Sequence, residues 1–182
     1  MMELQQIDQA LTAQLDLLKE SARGLALSPI CEFELKEESL NKIPWQDHHY
    51  PGIYFIEIKN DNKYTSFADW ASAFQNSWMD ERYRKKFVAN PKKSRISRHT
   101  ELSEWIPLYI GKSRNISNRV QEHINLGLDK PTFAMKLKVR DHLKEDRFRL
   151  STIRVDIYNY DWIMPILEKS FRDRFHPIVG RQ

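Results

Sequence analysis

The sequence predicts a mixed α/β domain, and three observations predict it. The run Pro51–Ile58 is β-branched and aromatic and apolar on both faces, which marks a central strand. A short apolar strand, a polar turn and a helix follow one another from Pro107 to His123. Amphipathic patterns with helical spacing stand at 3–20, at 66–90 and from Asp161 to Pro177.

The chain has 182 residues, enough for one domain with a proper core and a small appendage. A composition of 41% hydrophobic and 30% charged residues is an ordinary globular balance. The formal net charge of +4 is compatible with nucleic acid without demanding it. Cys31 is the only cysteine, so an internal disulfide and a cysteine-based zinc site are excluded. Its expected role is that of a small buried side chain. Glu3, Gln5, Gln6 and Asp8 interrupt any signal-like start, and no apolar run approaches membrane-spanning length. A soluble, cytoplasmic protein is expected.

The elements follow in order. Leu4, Ile7, Leu11, Leu15 and Leu18 recur at three- and four-residue steps on the first helix. That stripe either packs on its own domain or, because Leu4, Leu11 and Leu18 are seven apart, makes a short dimerisation contact. Ile30–Leu35 reads as a strand. His48 and His49 are adjacent, which is poor geometry for a metal pair. In the central strand Tyr54, Ile56 and Ile58 share one face, and Ile53 and Phe55 the other. Phe67, Trp70, Phe74, Trp78 and Met79 form the apolar stripe of the 66–90 helix, with Ser66 or Asp69 as its cap. Beyond it Arg82, Arg84, Lys85, Lys86, Lys92, Lys93, Arg95, Arg98 and His99 form a basic patch. It is either a solvated loop or a phosphate-backbone contact surface.

Residues 105–111 read as the next strand and 116–126 as a helix, with Gly127 as its C-cap. Residues 131–144 look helical. Phe148–Tyr158 alternates as a further strand, with a shift near Thr152 that suggests a bulge. Pro165 suits the first turn of the last helix. Glu168 falls within that helix's apolar stripe, as a paired acid at the core edge or as a functional one. On the 116–126 helix Arg119 and His123 are four apart and share a face. With Tyr109 they point toward the helix start, where exposed amides could hold a phosphate.

Two tripeptides, Gly52-Ile53-Tyr54 and Tyr109-Ile110-Gly111, are followed by Arg119, His123 and, on a later helix, Glu168. In this pattern residues 50–182 resemble the GIY-YIG nuclease superfamily. The resemblance implies a small three-stranded, mostly antiparallel sheet flanked by helices. It divides the chain into an N-terminal extension, 1–45, and a nuclease domain, 46–182, with an insertion at 62–104. It also implies phosphodiester hydrolysis with one divalent metal, Mg2+ or Mn2+, held by Glu168. Tyr54 and Tyr109 would line the site, and Tyr54 with help from His123 would accept a proton from the attacking water. Arg119 would neutralise charge on the phosphate, and Lys112 would add a phosphate contact. Ordinary strand tyrosines and a surface arginine are the alternative reading of the same residues.

Two departures from the family pattern stand out. Tyr54 and Tyr109 lie 55 positions apart, where minimal members use a short hairpin. A basic, helical insertion of this kind resembles those of restriction endonucleases, and it points to Lys85, Lys86, Lys92, Lys93, Arg95 and Arg98 as DNA contacts. The family's closing asparagine is replaced by Gly180, with Asn115, Asn118 and Asn159 as candidate substitutes. The expectation is a restriction-type endonuclease on double-stranded DNA, working as a homodimer. A repair or mobile-element nuclease is the nearest alternative, and a non-catalytic nucleic-acid-binding protein is the alternative of another class.

Overall fold

The computed structural model describes residues 2–180. Along the chain run α1 (Met2–Gly24), β1 (Ser28–Glu34), α2 (Glu37–Leu40), β2 (Gly52–Lys59), α3 (Phe67–Trp78), β3 (Asn90–Pro91), α4 (Lys93–Ile96), β4 (Trp105–Ser113), α5 (Ile116–Asn125), β5 (Arg147–Arg154), α6 (Tyr160–Phe175) and β6 (Val179–Gly180). The run Gly52–Lys59 is apolar on both faces because it is an interior strand of an antiparallel sheet ordered β1-β5-β2-β4. Tyr54, Ile56 and Ile58 meet α3 and α5 through Trp70, Phe74, Val120 and Ile124. Ile53 and Phe55 meet α1 and α6 through Ala22, Met164, Leu167 and Phe171. Each such large apolar side chain contributes about 1.5–3 kcal/mol when fully buried. No helix among the described residues is long and apolar enough to cross a membrane.

The sheet has four strands rather than three. β1, from the segment expected to be an extension, pairs antiparallel along the edge of β5 from Ser28 to Glu34. The bulge expected near Thr152 lies in β1 instead, where the register slips between Pro29 and Cys31. β5 itself pairs with β2 without interruption. Cys31 is half-buried there, and burial pushes its thiol up to about 11.

Four further expectations are corrected. The 66–90 helix stops at Trp78. Asp80 takes the amide of Arg82, at 2.9 Å, which turns the chain into a single 3-10 turn, Glu81–Tyr83. The 131–144 segment is not an α-helix. Its amides at Leu137 and Lys138 bond across to the carbonyls of His123 and Ile124, each at 3.0 Å, instead of back along their own segment. Those carbonyls lie at the end of α5, where intrahelical partners run out. Lys136 adopts φ 58° in making that path. Gly127 is not the C-cap of α5, because the extended Leu126 holds that position and no described glycine has positive φ. Pro165 lies inside α6, one turn past its start at Tyr160.

The insertion is anchored to the C-terminal segment. β3 pairs with β6, Asn90 opposite Gly180 and Pro91 opposite Val179. The Lys92 amide donates to the Ile178 carbonyl at 2.8 Å, and Ile178 in turn donates to Pro107 on β4 at 2.9 Å. The free edge of the sheet beyond β4 is thereby partly walled.

Candidate active site

β4 is an edge strand, and the predicted site residues gather along it. Tyr54 on β2 sends its ring across Gly111. A Cβ at Gly111 would stand 2.3 Å from the Tyr54 hydroxyl, so only glycine leaves room for the phenol. Tyr109 stacks on Tyr54 with ring centroids 6.1 Å apart and touches the His123 ring at 4.5 Å. Tyr54 Oη lies 2.8 Å from His123 Nε2.

The hydrogen bonds of His123 fix its tautomer. The Met135 amide donates to Nδ1 at 3.1 Å, so the proton of the neutral ring sits on Nε2 and donates to Tyr54. Burial, with Arg119 adding to it, holds the His123 imidazole well below its ordinary range, so the ring is neutral. It has no free lone pair with which to take a proton. It can only donate, and a donor stabilises an ionised Tyr54 more than a neutral one.

The remaining groups face a cavity of about 310 Å³. Tyr54, Tyr109, Lys112, Arg119 and Glu168 line it, and so do Arg95, Arg172 and Gly180. His123 stands behind the tyrosines, fully buried. Arg119 is held by Glu122 and by the Phe133 carbonyl. Burial works against its charge, but Tyr54 and Glu122 outweigh that and raise its pKa. Glu168 on α6 faces Arg172 at 3.5 Å. Burial raises the Glu168 carboxyl, against the opposing pull of Arg172, Lys112 and Arg95. Burial likewise raises the Tyr54 phenol well above its ordinary range, with Tyr109 adding and Arg119 opposing. The cavity therefore holds four cationic side chains against one carboxylate, which suits an anion.

Glu168 is the one carboxylate on the cavity, and no cluster of three or more His, Cys, Asp or Glu exists among the described residues. A hard cation that keeps waters and shares phosphate oxygens fits such a site, since Mg2+ binds through one or two carboxylates plus substrate.

The structure brings together all five expected catalytic residues and Lys112. It places the convergence along the side of α5 rather than at its first amides. There Asn115 caps the helix by accepting from the Asn118 amide at 3.0 Å. Of the basic patch, Lys85, Lys86, Lys93 and Arg98 are exposed, Lys92 is half-buried, and Arg95 turns into the cavity. None of the candidate asparagines lines the cavity. Asn115 is the cap, and Asn118 and Asn159 are exposed. Sequence reasoning missed Arg172, although its position four residues after Glu168 on one helix was a signal.

Comparisons of the chain with protein-family models, with curated proteins and with solved structures return no match.

Proposed function

We propose that the chain is a divalent-metal-dependent endonuclease of the GIY-YIG type, cutting double-stranded DNA in the manner of a restriction enzyme. One observation carries the reading. Tyr54, Tyr109, Arg119 and Glu168, scattered over 115 positions from first to last, line one cation-rich cavity beside the edge strand β4. Phosphodiester hydrolysis needs a base, a charge clamp and help for the leaving oxygen, and this set offers them without a serine or cysteine nucleophile.

In this reading Tyr54 takes the proton of the attacking water. Its phenolate is stabilised by the Nε2–H of His123 and by the charge of Arg119, and Tyr109 packs the ring in place. Arg119 and Lys112 meet the non-bridging oxygens, which is electrostatic stabilisation at the position where charge develops. Glu168 would hold Mg2+ or Mn2+. The ion when bound supplies Lewis-acid stabilisation of the departing oxygen. The exposed Lys85, Lys86, Lys93 and Arg98 would follow the DNA backbone away from the cut.

Digestion of a long natural duplex DNA with and without Mg2+ tests the reading. Discrete fragments are expected in Mg2+, none in chelator, and none from Glu168→Ala. Wild-type protein that cuts in no divalent ion would refute the enzyme reading and leave nucleic-acid binding alone.

A further inference from the structure

The sequence places Arg95 in the exposed basic patch, but the fold removes it from there. Pairing of β3 with β6 fixes the register of the insertion against the C-terminal segment. α4 starts directly after that pairing and carries Arg95 over Gly180. A second clamp lies a turn later, where His99 Nε2 donates to the His176 carbonyl at 2.8 Å. A Cβ on Gly180 would stand 2.9 Å from Arg95 Nη1, so the guanidinium fills the space that any side chain at Gly180 would claim.

Arg95 Nη1 donates to the Pro177 carbonyl at 3.3 Å. No carboxylate of a described residue pairs with it within 4.0 Å. Burial and the nearby Arg172 work against its charge, and the more distant Asp173 and Glu168 offset them only in part. A half-buried guanidinium in that position, with donors left over and a cavity in front of it, has room for an anion that it would pair with directly. Its planar fork matches the oxygens of a phosphate better than a point charge does.

We propose that Arg95 is a catalytic residue of this cavity, contacting the scissile phosphate together with Arg119 and occupying the place left open by Gly180. The proposal rests on the nuclease reading and assigns one more group to the same site.

Two measurements test it. In single-turnover cleavage of duplex DNA, Arg95→Ala is expected to lose about 100-fold or more in rate while its DNA affinity changes less than about tenfold. Arg95→Lys should recover part of the rate, because it keeps the charge and loses the fork. A rate for Arg95→Ala within about threefold of wild type overturns the proposal and leaves the nuclease reading standing. The second measurement is the melting temperature with inorganic phosphate as probe. Wild type should be stabilised by phosphate and Arg95→Ala should not. If wild type cuts nothing, the nuclease reading falls, and the phosphate shift still decides whether Arg95 holds an anion. Should Arg95→Ala fail to fold, Arg95→Gln, which keeps a donor for the Pro177 carbonyl, takes its place in both.

Discussion

Tyr54 and His123 define what the site can do at the scale of single residues. A neutral imidazole whose Nδ1 accepts from the Met135 amide must donate from Nε2, so His123 cannot relay a proton away from Tyr54. Burial keeps the Tyr54 phenol protonated through the neutral range. The ionised fraction therefore grows with pH, and the single-turnover rate is expected to rise about tenfold per pH unit from neutral into alkaline buffer. His123, held well below its ordinary range, stays neutral over that interval and adds no step of its own. An inflection near pH 6.5 with a flat rate above it would assign the base to an imidazole instead. That Tyr54, Tyr109, Arg119, His123 and Glu168 come together was legible through the family resemblance that Gly52-Ile53-Tyr54 and Tyr109-Ile110-Gly111 carry, with Arg119 and His123 four apart on one helix. The donor role of His123 was not, because it depends on an amide twelve positions away whose direction only the fold sets.

At the scale of elements, the segment after α5 shows why local pattern failed. Phe133, Met135, Leu137 and Leu143 suggest helix, yet the amides of this segment are spent on the end of α5, and the left-handed Lys136 breaks any helical path. Arg140 secures that arrangement. It is fully buried, lies 3.8 Å from the Trp78 ring, and donates to the carbonyls of Met135 and Trp78 at 3.1 and 3.0 Å. It thus closes the end of α3 and anchors Met135, whose amide donates to His123. Arg140→Ala leaves both carbonyls buried and unpaired, and thermal melting should show a loss of about 2–4 kcal/mol. A loss below about 0.5 kcal/mol would mean that Trp78 packing alone holds the two elements. The shortened α3 carries the same lesson. Phe67, Trp70, Phe74 and Trp78 form a continuous aromatic stack with centroids 5.0–5.9 Å apart, so the stripe was readable, whereas its stop at Asp80 was a side-chain event.

At the scale of the whole molecule, the proposed cutting of both DNA strands asks for two cavities, and each chain brings together one set of Tyr54, Tyr109, Arg119 and Glu168. The first half of α1 leaves Leu4, Ile7 and Leu11 exposed at 70%, 60% and 56%, while its later turns pack on α6. A second copy that buries those side chains would supply the second cavity. Sedimentation should find a dimer, and replacing Leu4, Ile7 and Leu11 together by Ser should convert double-strand cuts to nicks at little cost in melting temperature. Unchanged double-strand cutting by a monomeric variant would remove α1 from that role. Everything proposed for the molecule turns on whether the cavity lined by Tyr54, Arg119 and Glu168 hydrolyses phosphodiester bonds. The most direct measurement is single-turnover cleavage of duplex DNA in Mg2+ by wild type beside Glu168→Gln and Arg119→Ala, with binding followed in parallel. Each variant is expected to lose at least about 100-fold in rate while still binding DNA. Equal rates in all three proteins, or cleavage that persists in chelator, would contradict the nuclease reading.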